Sequence, residues 1–264
     1  MALTDKRLFL LDMDGTLYLD EQLFNKVPEF LSFIRQQGGR YLFLTNNSSR
    51  GVEGYIEKMR RLGIETERSD YLTSVDVTIA ALQRERPEKK CYVFGTRSFY
   101  SQLRDAGIPV TARPDPDVDI LLCGFDRELT FQKLEDACIL LNRGAEFWAT
   151  NPDWVCPTWY GSVPDCGSVC RMLTTATGRT PRFLGKPQPD MAVLAMARTG
   201  FAPEQTVLFG DRLYTDIACG AAAGIDTVFV LSGEGTEADI EKFGVQPTWV
   251  RRDIAALLQE LEDN

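Results

Sequence analysis

Four short segments of this 264-residue chain combine residue types that can do chemistry together. Asp12-Met13-Asp14-Gly15-Thr16 puts two carboxylates one residue apart, directly behind the apolar run Leu8-Phe9-Leu10-Leu11. Acids at that spacing can face one side and hold a hard cation through oxygen. Thr45-Asn46-Asn47 ends a second apolar run and offers a hydroxyl, amides and backbone N–H groups, the donors that cradle phosphoryl oxygens. Lys186, in Gly185-Lys186-Pro187, supplies a cation in a turn that opens a helix around 191–197. Asp211 follows the apolar run 206–209, and Asp216 stands five residues further on, at the start of a helix. Each segment also has an ordinary reading: an acidic turn, an Asn-rich turn, a surface lysine, an acid in a first helical turn. Only Asp-x-Asp-Gly-Thr straight after an apolar strand is narrow in itself.

The elements that must position these residues are legible from periodicity. Short apolar runs at 8–11, 41–44, 91–94, 120–123, 206–209 and 227–230 read as buried strands. Apolar residues three to four apart predict helices over 27–36, 52–62, 99–106 and 131–142, and small residues mark another at 218–223. Strand and helix alternating with short links imply right-handed βαβ units and a parallel sheet, an α/β fold. Ligands bind such sheets at the carboxyl ends of the strands, where three of the four segments fall. Pro87-Glu88-Lys89-Lys90 and the turn 178–181 are the best boundary candidates.

Composition excludes much. The chain has no histidine, which removes Ser-His-Asp and Cys-His catalysis and imidazole-ligated metals. With 29 basic against 38 acidic residues, the net charge of −9 argues against nucleic acid or an anionic membrane as partner. Seven scattered cysteines are no disulfide framework, and Cys166 and Cys170 at i, i+4 read as one helix face. No apolar stretch approaches 18 residues, and the first eleven lack the length of a signal peptide, so a cytoplasmic protein is expected.

Taken in order, the four segments resemble the motifs of the haloacid dehalogenase (HAD) superfamily of Asp-nucleophile phosphatases. The likeness is to the nagD and p-nitrophenyl-phosphatase branch, and it runs over essentially the whole chain. It implies a doubly wound, Rossmann-like HAD core made of 1–84 and 184–264. Too few residues separate Gly15 from the first helix to hold a cap, whereas 138 residues lie between Asn47 and Lys186. In this family such an insertion is a C2-type α/β cap, here 85–183, expected to carry substrate specificity. Ala149-Thr150-Asn151-Pro152-Asp153 and Gly167-Ser168 match the last part of that cap, but Pro164-Asp165-Cys166 replaces its usual glycine-rich turn.

The resemblance implies a Mg²⁺-dependent phosphatase acting through an aspartyl-phosphate. Asp12 would be the nucleophile and Asp14 the acid and base. Thr45, Asn46, Asn47 and Lys186 would bind the phosphoryl group. Asp12, the carbonyl of Asp14, and Asp211 would hold the metal. Asp216 would orient Lys186 or a water on the metal. Substrates would be small phosphorylated metabolites: sugar phosphates, nucleoside monophosphates, phosphoglycolate or pyridoxal phosphate. Homodimers through the cap occur among relatives. A dehalogenase would need neither Asp14 nor Asp211, and a receiver domain is half this length. A phosphotransferase, a phosphomutase or a catalytically silent regulator on the same fold stay open. The residues 151–168 are expected to approach the leaving group, so that Asn151, Asp153 and Trp159 would govern substrate ranking; the cluster Trp148, Trp154, Trp159 and Tyr160 reads first as core or cap packing and only second as the wall of a leaving-group pocket.

Overall fold

The structure is a computed structural model and describes residues 2–158 and 160–263. The chain forms two compact units, one of 1–45, 53–72 and 186–264, the other of 46–52 and 73–185. The second unit thus takes in 46–52 and the helix Ser74–Glu85, which the sequence reading placed with the core.

The first unit is built on a six-stranded sheet. Its order is Trp249–Arg251, Asp226–Val230, Thr206–Gly210, Leu8–Asp12, Arg40–Thr45, Tyr71–Thr73. The strand Leu8–Asp12 is central, with parallel neighbours on both sides, and Asp12 stands level with Leu44 of the strand Arg40–Thr45. Its Leu8, Leu10 and Leu11 are fully buried, as expected for a strand covered on both faces. The helix Val27–Gln36 buries Val27, Phe30, Leu31 and Ile34, the face its periodicity predicts. Phe30 meets Phe9 edge-on at 6.1 Å between ring centroids and lies 5.6 Å from Phe209, which locks the helix over the central strands.

In the second unit the strands Arg182–Phe183, Glu146–Ala149, Ile120–Cys123, Cys91–Phe94 and Val110–Thr111 form a five-stranded parallel sheet, in that order. An exposed antiparallel hairpin, Val155–Thr158 with Gly161–Pro164, precedes the helix Cys166–Thr177. Sequence periodicity did not show the hairpin, because its strands bury little, whereas Cys166 and Cys170 at i, i+4 did mark one face of the helix. Gly178 closes that helix at φ +71°, a left-handed position that suits glycine.

Asp165 caps the Cys166–Thr177 helix, accepting from the Cys166 N–H at 2.5 Å and from the Asn151 amide at 3.3 Å. Burial, with the Asp153 carboxylate beside it, pushes the Asp165 carboxyl up to about 7 against the pull of those hydrogen bonds. An acid raised in this way stays protonated when folded, while the unfolded chain loses its proton near pH ~4. Its contribution to stability is complete below about pH 4 and is lost as pH rises through about 7. The loss is expected to be at most about 4 kcal/mol. Asp165→Asn keeps the capping oxygen, so urea denaturation should show the variant losing less stability than the parent as pH rises across that window, with the gap largest at pH 8.

Candidate active site

The strand ends of the first unit deliver three carboxylates to one place. Oxygens of Asp12, Asp211 and Asp216 all lie within 4.8 Å of one another. Asp12 ends the central strand, and Asp211 follows its neighbour Thr206–Gly210. A single wide helical turn, Leu213–Ile217, then brings Asp216 back beneath them. Gly210 is required there, since a Cβ would lie 2.1 Å from the Asp216 Cβ.

Lys186 joins the three acids. Its ammonium donates to Asp12 Oδ1 at 2.5 Å and to Asp216 Oδ1 at 2.6 Å. All are withdrawn from water: the side chains of Lys186, Asp12 and Asp216 are 3%, 15% and 1% exposed, so their charges must be balanced locally. Burial by itself would lower the Lys186 ammonium, but Asp12 and Asp216 hold it above the ordinary lysine range. Lys186→Met removes this pairing and should cost about 3–5 kcal/mol of stability, read from urea unfolding, because two buried carboxylates lose their cation.

The cluster is short of positive charge. Burial, then Asp216, pushes Asp12 well up despite Lys186, with Asp211 adding to the rise. Burial and Asp216 likewise push Asp211 up to about 6. Asp211 Oδ2 accepts from the Glu234 N–H at 2.8 Å, whereas Asp211 Oδ1 is buried with no hydrogen-bond partner among the described residues. Asp216 is by contrast occupied, with Oδ1 on Lys186 and Oδ2 accepting from the Arg212 N–H at 3.2 Å. An orphaned carboxylate oxygen among acids with one lysine fits a hard divalent cation held by oxygen.

Asp14 stands apart from the three. Its side chain is half exposed and lies 3.8 Å from Lys58 Nζ, while Tyr18 donates to it at 3.5 Å. Thr45 is buried at the end of its strand. The side chains of Asn46 and Asn47 also make contacts of their own within the second unit. Asn47 Oδ1 accepts from the Ser49 N–H at 2.9 Å and its hydroxyl at 2.7 Å, closing a turn. Asn46 donates its amide to Asp153 Oδ2 at 2.9 Å.

That contact bears on one expectation, that Asn151 and Asp153 govern substrate ranking. Asn151 is fully buried and donates to the same Asp153 oxygen at 2.8 Å, so both belong to the interior network that holds Asn46. Trp148 is buried too, between strand neighbours and the Arg182 guanidinium at 4.6 Å, whereas Trp154 and Tyr160 are exposed. Trp159 lies outside the described residues. Cys166 and Cys170 do share a helix face, and the fold adds Cys123, the three sulfurs lying buried within 4.8 Å of each other.

One participant, Lys58, carried no signal strong enough to find. Lys58 sits beside Met59 in an otherwise ordinary amphipathic helix, Val52–Arg61. The loop Ser232-Gly233-Glu234 was findable, since it follows the strand Asp226–Val230 at the sheet's active edge. Ser232 donates to the Gly15 carbonyl at 2.8 Å, and Gly233 leaves room for Asp211, whose Oδ2 a Cβ would meet at 2.0 Å. Gly233→Ala is therefore expected to displace Asp211 and weaken metal binding, measured by Mg²⁺ titration calorimetry.

Comparison with known proteins agrees with this architecture. Residues 9–109 match the haloacid dehalogenase-like hydrolase family and residues 183–257 a HAD-hydrolase-like family. The chain is 31% identical over 254 residues to the acid sugar phosphatase of Staphylococcus aureus, covering 96% of this chain and 97% of that one. The 4-nitrophenylphosphatase of Thermotoga maritima superimposes with a TM-score of 0.92 at 35% identity, covering 97% and 98% of the two chains. The glycerol phosphate phosphatase of Mycobacterium tuberculosis, in complex with magnesium, gives 0.89 at 30% identity over 96% and 77%. A Rossmann-like parallel sheet with acids clustered at its strand ends thus defines a HAD-type phosphatase. The chain belongs to the haloacid dehalogenase-like hydrolases, in the nagD and p-nitrophenylphosphatase branch.

Proposed function

We propose that this protein hydrolyses small organic phosphate monoesters through a phosphorylated Asp12, with Mg²⁺ as its cofactor. The observation that carries the reading is the Lys186 bridge from Asp12 to Asp216 beside the orphaned Asp211 oxygen. Asp12 forms the new bond to phosphorus as the ester P–O bond breaks, and Asp14 gives its proton to the departing oxygen. Water then attacks the acyl phosphate, Asp14 takes the proton, and inorganic phosphate leaves with Asp12 restored. Lys186, the Thr45 hydroxyl and the N–H groups of 46–47 bind the equatorial phosphoryl oxygens. Mg²⁺ held by Asp12, the Asp14 carbonyl and Asp211 would offset repulsion between the carboxylate and the phosphoryl group. Asp216 keeps Lys186 charged and aimed.

Specificity is assigned to the second unit. Its hairpin region offers exposed Trp154, Val155 and Tyr160, apolar surface suited to an organic leaving group. The acid sugar phosphatase and the glycerol phosphate phosphatase among the relatives favour polyol and sugar phosphates as the substrate class. Among the described residues no helix is long and apolar enough to cross a membrane.

Phosphate release from sugar phosphates, glycerol phosphate, nucleoside monophosphates, phosphoglycolate, pyridoxal phosphate and p-nitrophenyl phosphate tests the proposal, with Mg²⁺ and after exhaustive chelation. Release that needs Mg²⁺ is expected. Transfer to an acceptor without free phosphate would favour a phosphotransferase, and undiminished release in chelator would overturn the metal assignment.

A further inference from the structure

Lys58 is a buried lysine that the mechanism above leaves unused. It lies on the helix Val52–Arg61 with its side chain 11% exposed. The ammonium stands 3.8 Å from Asp14 Oδ1 and 3.7 Å from the centroid of the Tyr18 ring. Tyr18 is itself fully buried, and its hydroxyl donates to Asp14 Oδ2 at 3.5 Å. A lysine drawn out of water needs partners that repay its lost hydration, and here they are a carboxylate and an aromatic face. The two oxygens of Asp14 are therefore approached by two different residues, both anchored in the interior.

The backbone around Asp14 is fixed as well. Gly15 donates its N–H to the Tyr18 carbonyl at 2.8 Å, and Asp14 bridges to Tyr18. Gly15 takes φ +86°, and a Cβ there would strike Asp211 Oδ2 at 2.3 Å. The turn after Asp12 is thus set, but the Asp14 side chain, half exposed, still has its own torsions to settle. Proton delivery depends on those torsions, since a displacement of about 1 Å costs on the order of 100-fold.

We propose that Lys58 and Tyr18 are positioning residues that clamp the Asp14 carboxyl toward the leaving-group oxygen. This rests on Asp14 as the proton donor. The chemistry supplies a readout that a merely structural role would not move. An alkyl ester departs as a strongly basic alkoxide unless it is protonated, whereas p-nitrophenolate leaves with little help from an acid. A poorly aimed Asp14 therefore penalises alkyl phosphates selectively.

The test compares kcat/KM for glycerol phosphate and p-nitrophenyl phosphate in Lys58→Met, Lys58→Arg, Tyr18→Phe, Asp14→Asn and the Asp14→Asn/Lys58→Met pair. Lys58→Met should lose about 30-fold or more on glycerol phosphate and no more than about 5-fold on p-nitrophenyl phosphate. Lys58→Arg, which keeps the charge, should recover most of that loss. Tyr18→Phe, which keeps the buried ring, should show a smaller bias of the same sign and carries the test should Lys58→Met fail to fold. Asp14→Asn should show the largest bias, and adding Lys58→Met to it should cost no more than about 2-fold further. Equal losses on the two esters in Lys58→Met and Tyr18→Phe, or full additivity in the pair, would overturn the positioning role. A lack of bias in Asp14→Asn itself would instead remove the acid assignment, and the clamp with it.

Discussion

Asp12→Asn should lower turnover by on the order of 10⁴–10⁶-fold and leave no phosphoryl-enzyme to trap by acid quench. The amide has nearly the volume of the carboxylate but is a poor nucleophile toward phosphorus. It also exchanges an acceptor of the Lys186 proton for a weaker one, at a contact of 2.5 Å. The fold should persist, because removing one charge from a cluster of three carboxylates around one lysine relieves repulsion as well as a pairing. Thermal unfolding within a few degrees of the parent, together with absent turnover, would separate chemistry from folding. Turnover near the parent's would sink the nucleophile assignment outright.

The second large effect is expected at Asp211. Asp211→Ala should weaken Mg²⁺ binding by about 10³-fold, beyond the 10–100-fold typical of groups that only support a ligand. Asp216→Ala should weaken it far less, while destabilising the protein. The contrast comes from how their oxygens are used. Asp216 has both oxygens engaged, one by Lys186 and one by the Arg212 N–H, whereas Asp211 keeps one buried oxygen without a hydrogen bond among the described residues. Calorimetric Mg²⁺ titration of the two variants measures this without relying on activity. Equal affinity losses would show that Asp216 also touches the metal.

Two contacts in the second unit that the sequence did not show have a common origin. Asn46 and Asp153 stand 107 residues apart, and their residue types suggested separate duties, one toward phosphate and one toward the leaving group. Folded, the amide of one donates to one carboxylate oxygen of the other, because a buried acid draws donors to it. The Cys166 and Cys170 pair likewise read as a helix face, and only the strand Ile120–Cys123 adds a third sulfur beside it. Local pattern can announce a polar or soft side chain, but not which distant group will meet it.

What the sequence by itself determined is therefore the part of this protein governed by short range. Apolar runs of four or five residues specify the strands Leu8–Asp12, Cys91–Phe94 and Ile120–Cys123, and 3.6-residue spacing specifies the helices Val27–Gln36 and Phe131–Asn142. The chemistry at strand ends was legible too, since a parallel sheet sends every carboxyl end to one edge. Tertiary structure alone decided the rest. It set the order of the strands, joined Lys186 to Asp12 across 174 residues, left one Asp211 oxygen without a donor among the described residues, and brought Lys58 to Asp14. The physical reason is that burial forces charges and hydrogen-bonding groups to be balanced by whatever the packing brings near, and packing is a property of the whole chain.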